Sequence, residues 1–394
     1  MSKNWQVESI GKLFTIRPPK KEALDVLNKN EHVSFVPMAN LNEQTKELTL
    51  SLSRQLSDVY SGYTFFAEND VLLAKITPCF ENGKLGIARN LVNGIGFGSS
   101  EFFVFRTNGQ IIPEYLFYFL SNEQFRTDGK KQMIGAVGHK RVPKDFIENY
   151  KLPFPPSLPE QKRIVKILDK AFAAIDKAKT NAEKNLQNSR ELFDSYLNNV
   201  FAPSASSGQR KPGKDWEEKK LNQMSENLDS RRIPITKSKR IKGKYPYYGA
   251  SGIVDYVNDY IFDEDLLLVS EDGANLLART YPIAFSISGK TWVNNHAHVL
   301  RFENMVSQRF VQYYLNAIKL DDYVSGMAQP KLNQNMLNSI VVPFPKIDIQ
   351  KFIVKKADAL SIETKILESI YHQKLNDLEE LKKSILQKAF DGQL

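Results

Sequence analysis

The chain of 394 residues is poor in cysteine, with Cys79 as its single example. One cysteine excludes a disulfide framework and a cysteine-based zinc site. No apolar run approaches the roughly 18 residues that a membrane-spanning helix requires, and the first residues lack the apolar core of a signal peptide. These absences predict a soluble protein of the cytoplasm.

Sequence motifs of catalysis are also missing. No Gly-x4-Gly-Lys-Ser/Thr loop is present, which excludes a nucleotide motor of that class. Gly94, Gly96 and Gly98 alternate, but they precede a predicted strand rather than a helix, which disfavours a dinucleotide site. His296 and His298 alternate like residues on one face of a strand, yet no third zinc ligand is evident, which favours a structural role. We therefore predict no catalytic residue, no metal site and no cofactor bound by this chain.

Positive charge is in excess. Lysine and arginine number 54 against 45 aspartates and glutamates, which gives a net charge of +9 and a pI near 9.2. Such a balance favours a polyanionic partner, with nucleic acid as the first candidate, although a basic protein without such a partner is an equally open interpretation.

The strongest pattern is an internal repeat. Pro153-Phe154-Pro155 returns as Pro343-Phe344-Pro345, and the matches that follow keep one spacing. Gln161 recurs as Gln350 and Phe201 as Phe390, an offset of 189 residues in both cases. Residues 265–268 likewise match residues 70–73, at an offset of 195. A repeat of this length indicates two copies of one structural unit.

Each copy ends in a predicted long helix with one narrow apolar stripe. The stripe follows a heptad spacing, as in the series Ile164, Leu168, Ala171, Ile175, Ala178, Ala182 and Leu186 and the series Ile353, Ala357, Leu360, Leu367, Tyr371, Leu378 and Ile385. A stripe this narrow requires a partner helix, and the other copy supplies one. Two copies related by a pseudo-two-fold axis would pair these helices antiparallel.

The predicted fold is α+β, with two small mixed α/β domains separated by two long antiparallel coiled-coil helices. The predicted bounds are a first domain at 1–152, a first helix at 153–202, a linker at 203–214, a second domain at 215–342 and a second helix at 343–394. The linker is predicted from its serine, glycine and proline content.

This order of elements resembles the specificity subunit of a type I restriction-modification system. The resemblance is carried by residues 70–79, 98–102, 152–156 with Glu160 and Gln161, 245–252 and 381–390, which together span nearly the whole chain. It implies two target-recognition domains that each read half of a split DNA sequence. It also implies that the helices set the spacing and hold two adenine-methyltransferase subunits, which restriction and translocase subunits then join. S-adenosylmethionine, ATP and Mg are expected on those partner subunits.

Candidate DNA-binding residues are polar or basic side chains near predicted loops, because base edges and phosphates are recognised by such groups. In the first domain they are Lys75, Thr77, Lys84, Ser99, Ser100, Glu101, His139, Lys140 and Arg141. In the second they are Arg231, Arg232, Lys239, Arg240, Ser270, Glu271, Asn275, Arg279, Trp292, Asn294, Asn295, His296, Gln329 and Lys331. For each of these residues, a solvated turn position or a phosphate contact is the competing interpretation.

The sequence thus predicts a non-catalytic DNA-reading subunit that places partner enzymes on a bipartite target. Two alternatives stay open. One is a coiled-coil scaffold that holds proteins and never contacts DNA. The other is a methyltransferase or nuclease whose motifs have diverged. Glu217-Glu218-Lys219 has a nuclease-like spacing, but no acidic partner precedes it and chance is the better explanation.

Overall fold

A computed structural model describes residues 4–43, 45–201, 216–326 and 329–394. The predicted linker at 203–214 lies outside the described residues. The chain divides into two units, which we call unit 1 (Met1–Ala182 with Gln373–Leu394) and unit 2 (Glu183–His372). Each unit therefore combines one small domain with parts of both long helices. None of the described helices is long and apolar enough to cross a membrane.

The domain of unit 1 is built on short strands. They are β1 (Gln6–Ser9), β2 (Phe14–Ile16), β3 (His32–Val36), β4 (Ser53–Gln55), β5 (Thr64–Ala67), β6 (Val71–Ala74), β7 (Leu85–Ile87), β8 (Ile95–Gly98), β9 (Phe102–Thr107) and β10 (Lys151–Phe154). Among the described residues they form two four-stranded sheets, in the orders β2-β9-β6-β7 and β4-β3-β8-β5, and a β1-β10 pair.

Helices close the sheets of unit 1. The shorter ones are α1 (Ile10–Leu13), α2 (Glu22–Val26), α3 (Leu56–Val59), α4 (Pro113–Leu120), α5 (Glu123–Gln132) and α6 (Lys144–Asn149). α4 begins with proline in its first turn, where a missing N–H costs nothing. The long helix α7 (Leu158–Phe201) begins in unit 1 and ends in unit 2.

Unit 2 repeats this plan. Its strands are β11 (Glu217–Lys220), β12 (Ser225–Asn227), β13 (Lys242–Gly249), β14 (Gly252–Val257), β15 (Phe262–Asp263), β16 (Leu266–Ser270), β17 (Ala284–Ile287), β18 (Lys290–Val293), β19 (Ala297–Phe302) and β20 (Val341–Phe344). Its helices are α8 (Asn275–Ala278), α9 (Met305–Ala317), α10 (Gln334–Ser339) and α11 (Ile347–Phe390), of which α11 ends in unit 1.

The two units share strand order and strand direction. The sheets of unit 2 run β12-β19-β16-β17 and β14-β13-β18-β15, with a β11-β20 pair, which is the order of unit 1 strand by strand. β3 lies parallel to β8, and β13 lies parallel to β18, whereas the other strand pairs are antiparallel. The predicted two-fold repeat and α+β fold class are therefore confirmed.

The register of the repeat differs from the prediction by one residue in the central strand. The backbone N–H of Ala74 donates to Lys84 at the end of β6, and the N–H of Ser270 donates to Ile283 at the end of β16. Ala74 thus corresponds to Ser270, an offset of 196 rather than the predicted 195. The one-residue difference places Glu271, not Ser270, at the position of Lys75.

Glycine in β8 serves packing rather than cofactor binding. A Cβ on Gly96 would lie 2.1 Å from the ring of Phe66, and one on Gly98 would lie 2.4 Å from the carbonyl oxygen of Val36. These glycines sit inside a buried strand, as the sequence context indicated, and do not precede a helix.

Within each unit the two long helices run antiparallel. In unit 1, Lys179 pairs with Glu379 at 2.7 Å, and Arg163 donates to the carbonyl of Leu394. In unit 2, Arg190 pairs with Glu368 at 2.6 Å. The stripe predicted from heptad spacing is buried at Ile164, Leu168, Ile175 and Ala182, as antiparallel coiled-coil pairing requires.

The repeated glutamines anchor the start of each long helix. Gln161 is fully buried; its amide nitrogen donates to the carbonyls of Gln110 and Pro155, and its oxygen accepts from the N–H of Ile112. Gln350 donates to the carbonyl of Pro345 and accepts from the hydroxyl of Ser307. Because these bonds join helix to domain, the glutamine at each copy sets where the helix leaves the domain.

Candidate nucleic-acid interface

Three separate segments of unit 1 meet at one end of its sheets. They are residues 75–77 after β6, 99–101 between β8 and β9, and the hairpin 134–141; we call them the first loop cluster. The N–H of Lys75 donates to the carbonyl of Glu101 at 2.9 Å, and the N–H of Thr77 donates to that of Lys140 at 2.9 Å. Backbone hydrogen bonds thus bring together the predicted residues Lys75, Thr77, Ser99, Ser100, Glu101, His139, Lys140 and Arg141.

An arginine–glutamate pair lies at the centre of the first loop cluster. Nε of Arg141 donates to Oε2 of Glu101 at 2.9 Å, and Nη2 donates to Oε1 at 2.8 Å. The Arg141 hydrogen bonds outweigh partial burial and lower the pKa of the Glu101 carboxyl. Nζ of Lys75 lies 3.8 Å from the same carboxylate and donates to the carbonyl of Ser100 at 2.9 Å.

The hairpin of the first loop cluster projects into solvent. Its residues 134–140 are all exposed, and Val137 at the tip is 92% exposed. Gly138 turns the chain with a φ of 83°, and the N–H of His139 closes the turn on the carbonyl of Ala136. The turn leaves His139 and Lys140 free to contact a ligand.

Two basic residues at this surface were not predicted. Arg17 and Lys144 line a cleft of about 220 Å³ together with Lys75 and Arg141. Burial lowers the pKa of Lys75, and the charges of Arg17 and Arg141 add to that lowering while Glu101 opposes it. The basic turn at residues 17–21 was the available signal for Arg17, but only the fold shows that it faces Lys75.

Unit 2 carries the same backbone arrangement, which we call the second loop cluster: residues 271–272, 294–296, 325–326 and 329–331. The N–H of Glu271 donates to the carbonyl of His296 at 2.9 Å, as Lys75 does to Glu101. The N–H of Leu332 donates to Glu271, as Val142 does to Lys75. Lys331 bridges Asp272 and Ser325, as Arg141 bridges Ile76 and Ile134.

The side chains of the second loop cluster differ from those of the first. Nζ of Lys331 lies 3.2 Å from Glu271, which also accepts from Arg232 at 2.7 Å. Nδ1 of His296 lies 2.8 Å from Asp272. The oxygen of Asn294 accepts from the N–H of His296, whereas Asn295 and Gln329 are exposed.

A buried ionic network lies beneath the second loop cluster. In His298, which is 1% exposed, Nδ1 lies 2.5 Å from Asp229 and Nε2 lies 2.7 Å from the carbonyl of Leu332. Both ring nitrogens of His298 thus lie within hydrogen-bond distance of acceptors. Burial acts to raise the pKa of Asp229, but the hydrogen bonds from His298 and Val299 and the charge of Arg232 act together to lower it below its usual range.

This network also has the spacing of metal ligands. Asp229, Glu271 and His298 place ligand atoms within 4.8 Å of one another. Arg232, however, contacts Glu271 at 2.7 Å and Asp229 at 3.5 Å, so a guanidinium already supplies the positive charge there. His296, which alternates with His298 in the sequence, pairs with Asp272.

Several predicted residues are committed to the fold of their own unit. Lys84 donates to the carbonyls of Met38 and Leu41, and Arg279 donates to those of Leu315 and Ile318. Asn275 is buried and donates to Tyr281, and Trp292 donates to Ile233. Their donors satisfy backbone carbonyls, and the structure does not bring these residues into either loop cluster.

The basic run of unit 2 is partly paired. Arg231 pairs with Glu264 at 3.0 Å, and Arg240 pairs with Asp255 at 3.2 Å while its guanidinium lies over the ring of Tyr247. Lys239 and Lys242 are exposed. The exposed lysines are therefore the members of this run best placed to meet a phosphate.

Comparison with known families gives one match that spans most of the chain. A model of the type I restriction modification DNA specificity domain matches residues 2–185 and again residues 213–379. The two matched stretches follow the repeat described above.

Individual relatives point the same way. The chain is 32% identical over 198 residues to the EcoEI specificity subunit of Escherichia coli and 34% identical over 194 residues to the EcoAI specificity subunit. These alignments cover 50% and 49% of this chain but only 32% of each relative, so the chain spans about a third of their length. A putative MjaX specificity subunit of Methanocaldococcus jannaschii is 25% identical, in an alignment that covers 82% of this chain and 78% of that relative.

Solved structures share the fold. A chain from a study of complex assembly and conformational transition of the type I R-M system superposes with a TM-score of 0.78 at 17% identity, over 100% of this chain and 99% of that one. The HsdS subunit from Thermoanaerobacter tengcongensis gives 0.64 at 17% identity, over 100% and 98%.

Proposed function

The chain belongs to the specificity subunits of type I restriction-modification systems, and we propose that it reads a bipartite DNA target, one half with each loop cluster. In this proposal it acts in the cytoplasm and catalyses nothing itself. It places two adenine-methyltransferase subunits, and the restriction and translocase subunits that join them, on the DNA. S-adenosylmethionine, ATP and Mg then belong to those partners.

The observation that carries the proposal is the repetition of one backbone arrangement with different side chains. The ladder of hydrogen bonds that holds Lys75 and Arg141 in unit 1 holds Glu271 and Lys331 in unit 2. A frame that is kept while its polar side chains change is what two readers of unlike sequences require. A scaffold for proteins alone has no such requirement.

Exposed cations, two at the first loop cluster and two on the basic run of unit 2, support a DNA ligand. Arg17, Lys140, Lys239 and Lys242 are exposed, and such side chains neutralise phosphates and release counterions. We propose that they hold the backbone in place, whereas Ser99, Ser100, Glu101, His139 and Arg141 in unit 1 and Asn294, Asn295, His296, Gln329 and Lys331 in unit 2 face the bases.

The long helices supply a surface for partners. Phe352, Ile362, Ile366 and Ile370 on α11 are 68%, 60%, 54% and 52% exposed, and residues four apart share a helix face. A row of exposed large apolar side chains marks a protein contact. We propose that it receives a methyltransferase subunit, while the paired helices set the spacing between the two readers.

Mapping of methylated adenines in cells that carry this chain with its partner genes tests the proposal. One strain has residues 99–101 replaced, and a matched strain has residues 294–296 replaced. We expect a split motif in which the first replacement alters one half and the second alters the other half.

Two results would point elsewhere. Methylation that is unchanged by both replacements would favour a protein scaffold. Methyl transfer or cleavage by the purified chain without partners would favour a diverged enzyme.

A further inference from the structure

We infer that Arg141 and Glu101 together read one G·C base pair in the half of the target that unit 1 contacts. The inference rests on the proposed function and deepens it by naming a base pair and the two side chains that would recognise it. It is carried by the geometry of the pair and by its contrast with unit 2.

The guanidinium of Arg141 is oriented before any DNA binds. Nε and Nη2 donate to the Glu101 carboxylate at 2.8–3.1 Å, and Nη1 donates to the carbonyl of His139 at 3.1 Å. One further N–H on each terminal nitrogen has no acceptor among the described residues. The side chain is 46% exposed, so these two donors can reach a ligand.

Glu101 is held equally firmly. Its backbone N–H donates to the hydroxyl of Ser99, and its carbonyl accepts from Lys75. Arg141 is fixed by reciprocal hydrogen bonds with Ile134 across the hairpin. Because the guanidinium and its carboxylate partner are both held in place, they lose little conformational freedom on binding. This favours a selective contact.

The pair presents two donors beside an acceptor. In the major groove guanine offers O6 and N7 as acceptors, and the cytosine paired with it offers the N4 amino group as a donor. Arg141 matches guanine and the ionised carboxylate of Glu101 matches the amino group of cytosine. An A·T pair would set its adenine amino group against the guanidinium donors.

The carboxylate also argues against a simple phosphate contact. A phosphate is attracted by an arginine, but an adjacent glutamate repels it. Lys140, which is exposed beside this pair, forms no ion pair with a carboxylate among the described residues and is the better phosphate ligand. The position of Glu101 therefore favours a base edge.

Unit 2 lacks this combination at the equivalent place. Lys331 replaces Arg141 and cannot form a fork, and its partner Glu271 is 13% exposed and already accepts from Arg232. The substitution Arg141→Lys therefore installs in unit 1 the residue that unit 2 uses. Since the Arg141 side chain is 46% exposed and Lys331 holds the same backbone position in unit 2, the variant is expected to fold.

The test compares wild type, Arg141→Lys and Lys140→Gln, each assembled with its methyltransferase partners. Binding to a randomised duplex library and adenine methylation in cells are both sequenced. For Arg141→Lys we expect preference at one G·C position of the first half to fall about 10-fold to 100-fold, with the second half unchanged. For Lys140→Gln we expect uniformly weaker binding and a salt slope lower by about one, with the motif intact.

The outcomes separate the inference from the proposed function. A bipartite motif that is identical in wild type and Arg141→Lys overturns the inference and leaves the function standing. Loss of preference at an A·T position, or in the second half, also overturns it. A wild-type complex that selects no sequence at all overturns the proposed function, and the inference with it.

Discussion

Lys75 in unit 1 and Glu271 in unit 2 stand at the same point of one backbone frame. Each donates its N–H to the carbonyl of the residue that precedes the neighbouring strand, Glu101 before β9 and His296 before β19. The donor side thus changes from a basic to an acidic side chain, and the acceptor side from a carboxylate to an imidazole. Because main-chain bonds and buried strands hold the frame, the side chains at the strand ends can change without disturbing it.

The layer beneath each loop cluster differs as well. His298 on β19 corresponds to Phe103 on β9, and Asp229 corresponds to Pro18, since Leu228 donates to Val299 as Arg17 donates to Val104. Unit 1 supports its surface with aromatic packing, whereas unit 2 supports it with buried charges.

The largest contrast is expected at an arginine that both units keep. Arg106 holds the buried carboxylate of Asp70 through two hydrogen bonds of 2.7 and 2.8 Å, whereas the equivalent Arg301 pairs with the more exposed Glu264. Arg106→Gln should lower the free energy of unfolding of unit 1 by about 3–5 kcal/mol, because a buried charge loses its partner. Arg301→Gln should cost unit 2 under about 1 kcal/mol.

Hydrogen exchange at increasing urea, measured separately for peptides of β9 and β19, gives the two losses. Equal losses in the two units would show that the burial of Asp70 does not make Arg106 contribute more to stability than Arg301.

The second prediction gives unit 2 the residue of unit 1. His298→Phe should destabilise unit 2 by about 3 kcal/mol, because the Asp229 carboxylate stays buried without the hydrogen-bond partner on β19. Adding Asp229→Asn should recover much of that loss, since it removes the unpaired charge. The midpoint of unfolding by urea in the single and double variants measures both effects. An unchanged midpoint for His298→Phe would contradict the stabilising role of its contact with Asp229.

The third prediction concerns the repeated glutamines. Gln161→Leu leaves two carbonyls and one N–H unpaired, whereas Gln350→Leu leaves one carbonyl and a hydroxyl that can rotate. We expect a loss of about 3 kcal/mol for the first and about 1 kcal/mol for the second, from the cost of buried unsatisfied groups. Thermal unfolding monitored by circular dichroism compares the two, and a larger loss for Gln350→Leu would reverse the interpretation.

The smallest predicted effect is a difference in sign between the two units in how stability depends on pH. Burial raises the pKa of Asp70 despite Arg106, so its contribution to stability is present below about pH 3.9 and is lost as the pH rises through the folded pKa. The hydrogen bond from Arg301 lowers the pKa of Glu264, so that contribution is present above about pH 4.3 and is lost as the pH falls.

Between pH 3 and 6, Asp70→Asn should therefore gain on the wild type as the pH rises, and Glu264→Gln should lose ground. Urea midpoints at four pH values suffice for the comparison. Parallel trends for the two variants would rule out the opposite pKa directions.

The repeat, the helices and the strand-end segments were accessible from the sequence because periodicity and spacing carry them. Gln161 and Gln350 show this, since the sequence alone places them at equivalent positions of the repeat. The roles of Lys84 and Arg279 were not accessible, because they depend on which carbonyls the strand and helix ends leave unpaired. Arg17 was missed for a similar reason: only the pairing of β2 with β9 brings it to Lys75.

The composition of the units has a consequence for synthesis on the ribosome. Leu386, Ala389 and Phe390 complete the core of unit 1, yet they follow residue 182 by some 200 residues. At ~5–20 residues per second, the nascent first domain waits roughly 10–40 s for the segment that closes its core. In the interval a nascent-chain chaperone would find apolar surface around Tyr115 and Phe119, the residues against which Phe390 finally packs.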